Sequence, residues 1–467
     1  MKKRLAAEWE PAVGVLIAWP ICIPSALVTK LAHDTQLHLM CADEAGIQNA
    51  KETLPKMGID PEAVRYLVVP KGDDEFWVRD WGPHPLFDEM GNYALLGPRY
   101  TLATPHCGTE ENATLYCTPW GNEKVPLTQF DGNTADDLAA EPIAHQLGLS
   151  FIKAPFAFTG GNVLNDGINT VISTKVLVAE NEFEGLTREA FFDYATKITG
   201  MTNYIVLPNY EEFSLNHIDC FLKILDERRL LVMRAPKDSD RYPIYENLVA
   251  RLQQTTNSYG EPWQIIRMDT GITRDGNGFA DYVNSLILNG CVYVPMYGIP
   301  ADEGALATWR AAMPGYDVQG FTFEFADEPF SVNPDDLYNE CGWVAGDVLH
   351  CRTRAVWDSQ MLHVDVPGPV GTPTAGTPVV VQVRAVAYSA TQLVAEKTCI
   401  RWRTVDETDW QTAPLVPSPI NEVLCAEIPA QPSGTAIEYY AHVADESGRE
   451  TSSPRVAPAQ YLTYVVR

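Results

Sequence analysis

The chain has ten cysteines but no pair at C-x-x-C spacing. That leaves a zinc ribbon, a zinc finger or a thioredoxin-type redox motif without its ligands, and no metal or other cofactor is expected. No apolar run reaches the ~18–20 residues of a membrane-spanning helix. Cations are scarce, with 34 Lys and Arg against 61 Asp and Glu and a net charge of -27. This argues against nucleic acid or an anionic membrane as the main partner and suits a cationic substrate. The basic start, Met1-Lys-Lys-Arg4, is followed by no apolar h-region, so no signal peptide is visible. The protein is either cytosolic or exported without its leader in this chain.

What is present fits a soluble globular protein of more than one unit. Hydrophobic residues make up 46% and charged residues 20% of 467, too long a chain for one ordinary core. Ala12 to Pro20 reads as a buried strand, Ser25 to His33 as a helix with Ser25 as N-cap, Gln36 to Cys41 as a strand and Asp43 to Met57 as a helix. Thr170 to Ala179 reads as a strand and Glu184 to Ile198 as a helix. Hairpins are expected at Phe221 to Met233 and Tyr282 to Pro295, with a helix over Ala301 to Met313. The strand-strand-helix rhythm recurs without a sequence repeat and predicts an α/β protein assembled like a propeller around a central site. Val364 to Pro378 is rich in Pro and Gly and reads as a linker. Short alternating strands follow, so residues 1–363 are expected to form the α/β unit and residues 364–467 a β-sandwich. Cys107 with Cys117, or Cys399 with Cys425, are possible disulfide pairs.

Three stretches carry chemistry. Gly346 to Thr353 holds Cys351 at a strand end or loop; Trp77-Val-Arg-Asp80-Trp-Gly-Pro83 is a second stretch; Asn216-His-Ile-Asp219 is the third. Each residue alone reads as well as core or turn, since thiols are commonly buried. Cys220 and Cys291, in apolar runs, read as core. Together the stretches suit a guanidinium. Its planar N–H groups are matched by carboxylates, here Asp80 and Asp219. A Cys351 thiolate can attack the central carbon, and His217 can protonate the departing ammonia and then activate water.

The motifs W-V-R-D-W-G-P, T-G-G-N, N-H-I-D-C, Y-V-N and L-H-C-R-T, with Ala7-Glu-Trp-Glu-Pro near the start, resemble the Porphyromonas-type peptidylarginine deiminase family, to which agmatine deiminases are a sister group. The resemblance covers about residues 6 to 363. It implies a five-fold pseudosymmetric α/β propeller followed by an immunoglobulin-like β-sandwich, and a hydrolase of C–N bonds in linear amidines that needs no metal. It implies Cys351 as nucleophile, His217 as acid/base, Asp80 and Asp219 on the guanidinium, and substrate contacts from Trp77 and Asn284. The sandwich is similar to that of secreted members, which points to a secreted, extracellular or periplasmic location. Those members hold a C-terminal carboxylate with two close arginines. Here Arg99 fits the first, but Tyr100 and Thr101 follow, and Ser214 stands where the family has tyrosine.

The expected reaction is deimination of peptidyl arginine, notably C-terminal, or of free arginine. The alternatives are agmatine deimination to N-carbamoylputrescine, an amidinotransferase, for which no second-substrate site is visible, and a non-catalytic binding protein.

Overall fold

A computed structural model describes residues 2–69, 76–100, 104–105, 115–118, 121–126, 135–183, 185–208, 217–273, 276, 278–323, 343, 348–418 and 423–467. Expectations that concern Thr101, Cys107, Ser214 and Asn216 lie outside these residues. The chain divides into two compact units, residues 2–312 with 318–357, and residues 313–317 with 358–467.

The first unit repeats one arrangement five times. His84–Phe87 pairs antiparallel with Tyr93–Arg99, which pairs parallel with Ser150–Ala157. Leu164–Asn165, Thr170–Thr174 and Asn203–Leu207 repeat it, as do Leu222–Ile224, Arg229–Arg234 and Gln264–Asp269. Leu286–Leu288, Cys291–Pro295 and Asp317–Phe321 follow the same strand order. The fifth set joins distant parts of the chain. Arg354–Trp357 runs antiparallel to Ala12–Ala18, which lies parallel to Gln36–Cys41, with Arg65–Val68 beyond.

A parallel neighbour needs a crossover, and a helix supplies each one. They are Ser25–Asp34, Glu44–Thr53, Ala140–Leu147, Arg188–Thr199, Tyr242–Leu252 and Ala301–Ala312. Tyr242–Leu252 shows why these segments are helical. It buries Tyr245, Leu248, Val249 and Leu252, one face at helical spacing. Ala12–Ala18 is buried along its last five residues, as a strand covered on both faces requires.

Local differences from the sequence reading have physical causes. Thr170 to Ala179 is not one strand. The strand ends at Thr174, and Val176–Phe183 is a helix. A short run such as Val176-Leu-Val is ambiguous by periodicity. Here Asn181 ties the segment down, its Nδ2 donating to the carbonyls of Ala157 and Leu177. Ser25 is the first helical residue and the cap position is Pro24, whereas Asp43 does cap its helix, accepting from Gly46 N–H at 2.8 Å. Residues 364–369, read as linker, belong to the strand Leu362–Pro369, paired antiparallel with Val379–Ala387. A register shift between Asp365 and Gly368 accommodates Pro367.

The second unit holds two sheets on one core. One runs Leu362–Pro369, Val379–Ala387, Leu424–Ile428, Val416–Pro417. The other runs Gln411–Pro414, Cys399–Thr404, Ala436–Ala444, Glu450–Ser453, with Leu462–Val465 also on Ala436–Ala444. Val366, Val383, Ile400, Trp402, Ile428 and Val443 fill the space between them. Cys399 and Cys425 form no disulfide. Strand alternation sends Ile400 and Ala426 into the shared core and places the two cysteines on the other faces of opposite sheets.

Candidate active site

Five short segments hold the site, and each follows the parallel strand of one repeat. Val78–Trp81 follows Arg65–Val68, and Gly160–Asn162 follows Ser150–Ala157. Ile218–Cys220 follows Asn203–Leu207, the turn at Tyr282 to Asn284 follows Gln264–Asp269, and the turn at Leu349 to Arg352 leads into Arg354–Trp357. Side chains from segments more than two hundred residues apart therefore converge at equivalent strand ends, where α/β sheets commonly bind ligands.

Cys351 is fully buried and Asn284 orients it. Asn284 Nδ2 lies 3.2 Å from Cys351 Sγ, while its Oδ1 accepts from the backbone N–H of His350 at 2.8 Å and of Cys351 at 3.4 Å. One side chain thus fixes both the thiol and the backbone that carries it. Asp219 Oδ2 stands 3.5 Å from the sulfur. Arg79 closes the turn from the other side. Its backbone N–H donates to the Cys351 carbonyl at 3.0 Å and its Nε to the His350 carbonyl at 3.1 Å.

Asp80 and His217 meet across Gly161. Asp80 Oδ1 accepts from Gly161 N–H at 2.9 Å and lies 3.5 Å from His217 Nδ1. A Cβ on Gly161 would stand 2.5 Å from Asp80 Oδ1, 2.8 Å from His217 Nδ1 and 3.3 Å from Asp219 Oδ1. Only glycine leaves room for these three groups around one point. Asn162 sets the next layer, its Oδ1 accepting from the N–H groups of Thr174 and Ile218.

Beneath the site runs a buried chain of charge. His350 Nδ1 is 2.7 Å from Asp219 Oδ2 and its Nε2 is 3.1 Å from Glu8 Oε2. Glu8 also accepts from Lys223 Nζ at 2.9 Å and from Ile287 N–H at 2.9 Å. Burial pushes the Asp219 carboxyl up, but the His350 hydrogen bond and the His350, His217 and Lys223 charges outweigh it and hold Asp219 below its usual range. Glu8 is likewise raised by burial and brought well below its usual range by Lys223, His350 and Arg79. Both carboxylates are therefore ionised at neutral pH, so the pocket receives a cation without first losing a proton.

Trp77 is buried beside Phe76, and the Arg352 guanidinium lies 5.1 Å from its ring. Arg99 ends its strand and pairs with Asp137 at 3.4 Å, a contact that the sequence reading did not anticipate. The structure thus brings together Cys351, Asp219 and Asn284, and Asp80 with His217, while Arg99 is engaged elsewhere. Sequence reasoning missed Glu8, Asn162, Lys223 and His350. Glu8 and Asn162 lay within quoted motifs, and His350 adjoins the candidate thiol. Lys223, a lone lysine on an apolar strand, was also a readable signal.

The profile of the Porphyromonas-type peptidyl-arginine deiminase family matches residues 4–325, a span that ends before Cys351. The agmatine deiminase of Stutzerimonas stutzeri is 24% identical over 351 residues, covering 67% of this chain and 89% of that protein. The solved agmatine deiminase of Enterococcus faecalis superposes with a TM-score of 0.58 at 18% identity, covering 77% of this chain and 96% of the other. That of C. jejuni gives 0.55 at 15%, covering 76% and 97%. These likenesses establish the α/β propeller fold of the deiminases for the first unit. The match over most of its length places the chain in the Porphyromonas-type peptidyl-arginine deiminase family.

Proposed function

We propose that the protein, a guanidine-modifying hydrolase by family, replaces one nitrogen of a substrate guanidinium with oxygen and releases ammonia. The observation that carries this reading is the 3.5 Å separation of Cys351 Sγ from an ionised Asp219 oxygen. A guanidinium gripped by that carboxylate presents its central carbon to the thiol. Asp80 supplies the second carboxylate, and the fork of N–H donors fixes the plane of the substrate. The Cys351 thiolate adds to the carbon; ammonia then leaves with the electrons of its C–N bond and a proton from His217, while a lone pair on a remaining nitrogen re-forms the C=N bond of a thiouronium. His217 then takes a proton from water, whose oxygen adds to the thiouronium carbon. The C–S bond then breaks with its electrons on sulfur and the added oxygen gives its remaining proton to solvent, leaving a urea and the thiolate.

The substrate proposed first is arginine, peptidyl and C-terminal or free, giving citrulline. Arg99, at the end of a site-proximal strand, would receive the carboxylate. A second reading is supported by the Arg99–Asp137 pair and by the named relatives. With its charge answered by Asp137, Arg99 offers less to a carboxylate and repels a cationic amine less, which suits agmatine. The proposal extends to an immunoglobulin-like second unit and a secreted, extracellular or periplasmic location, both supported by resemblance alone. The test is ureido-product formation and ammonia release with C-terminal arginine peptides, amidated peptides, free arginine and agmatine. Product from a free-carboxylate arginine above all others supports the first reading, agmatine preference the second. No product from any of them overturns both.

A further inference from the structure

Cys220 has no part in the proposed chemistry, yet it stands against the nucleophile. Its side chain is 5% exposed and its Sγ lies 3.7 Å from Asp219 Oδ1. Cys351 Sγ lies 3.5 Å from the other oxygen of the same carboxylate. Among the described residues, one ligand atom from each of Asp219, Cys220 and Cys351 lies within 4.8 Å of the other two. A tetrahedral zinc, with Zn–S near 2.3 Å and Zn–O near 2.1 Å, holds its ligand atoms about 3.5–3.8 Å apart. Each sulfur already stands at that separation from one of the two Asp219 oxygens, and a single oxygen lies within 4.8 Å of both sulfurs. The two sulfurs need close by no more than about 1 Å, within reach of small χ1 adjustments.

We propose that Cys220, Cys351 and Asp219 form a site for a soft divalent cation, Zn2+ first among them, which shuts the active site by taking its nucleophile. Two sulfurs and one carboxylate oxygen favour zinc over magnesium or calcium, which prefer shells of oxygen. Asp219 enters as a carboxylate, and the two thiols lose one proton each as the Zn–S bonds form. The fourth position is left for water. A guanidinium cation needs the same Asp219 and the same sulfur, so metal and substrate exclude one another. Cys220 thereby gains a role that its apolar sequence context hides, because the ligands lie one and 131 residues apart along the chain. No spacing rule for zinc ligands covers that separation.

The metal site is read optically and does not depend on turnover; its inhibitory effect rests on the hydrolase reading above. The probes are Zn2+ and Co2+ with the full chain. One equivalent of Co2+ should give a thiolate-to-cobalt charge-transfer band in the wild type. Cys220→Ala and Cys351→Ala should each abolish it, and Zn2+ should displace it. In turnover, Zn2+ should compete with the guanidine, a chelator should restore activity, and Mg2+ should have no effect. Cys220→Ala should keep turnover and weaken zinc inhibition at least tenfold, and Cys220→Ser, which leaves no cavity, should do the same. Equal zinc inhibition in wild type and both Cys220 variants overturns the inference, as does a wild type without the cobalt band. If the band behaves as expected but no guanidine is turned over, the site stands and the hydrolase reading falls.

Discussion

His350 bridges two buried carboxylates, with Nδ1 2.7 Å from Asp219 and Nε2 3.1 Å from Glu8. Both ring nitrogens therefore face carboxylate oxygens. The side chain before the proposed nucleophile is thus placed to position Asp219. His350→Asn keeps a donor near the Nδ1 position and His350→Gln keeps one near Nε2. The Asn variant should hold the Michaelis constant for a guanidine within a few-fold of wild type. The Gln variant should raise it about tenfold or more, the value of one charge-assisted hydrogen bond of ~1.5–3 kcal/mol. Equal losses in both, tracking melting temperature, would reduce His350 to packing.

Glu8 should matter to stability with a defined pH dependence. Lys223 is fully buried against it, so Glu8→Gln leaves a buried cation without its counter-charge, at a cost of about 3–5 kcal/mol. The folded Glu8 carboxyl lies well below its usual range. Its contribution is therefore full above the unfolded value of about 4.3 and is lost as pH falls through the folded value. Denaturant unfolding of wild type and variant should differ by a constant amount from about pH 5.5 to 8. The gap should narrow below about pH 4. A gap that widens in acid would contradict the assignment.

Gly161→Ala should separate Asp80 from His217. Its Cβ would stand 2.5 and 2.8 Å from their polar atoms, so one of them must move. Overpacking of this kind costs about 1–3 kcal/mol. Guanidine turnover should fall at least a hundredfold while circular dichroism stays native. Unchanged turnover would place the reacting groups elsewhere.

Much of this site was legible because its residues sit in short polar motifs between apolar runs. Cys351, His217, Asp219, Asp80 and Asn284 were readable as types, and the strand-strand-helix rhythm announced the repeated unit. The chain cannot show which motifs meet. Glu8 and His350 are 342 residues apart and touch only because Ala12–Ala18 pairs with Arg354–Trp357. The sequence reading put Cys220 in the core, and it is buried there, but its contact with Asp219 is visible only in space. The helix at Val176–Phe183 was hidden for a different reason, since an apolar run of three carries no period.

The proposed preference for a carboxylate-bearing arginine rests on Arg99, which pairs with Asp137. To receive a carboxylate it must exchange one anion for another. Arg99→Ala should raise the Michaelis constant for C-terminal arginine peptides about ten- to a hundredfold and leave agmatine unchanged. A parallel rise for both substrates would show that Arg99 supports the fold and does not read the substrate.

The proposed chemistry requires a covalent bond from Cys351 to the guanidinium carbon. The direct measurement is acid quenching during turnover, followed by mass spectrometry of the peptide that carries Cys351. The expected adduct has the mass of the substrate less ammonia, and it should be absent from Cys351→Ala, which should also make no ureido product. Steady product formation with an unmodified Cys351, or by a natively folded Cys351→Ala protein, would contradict the account.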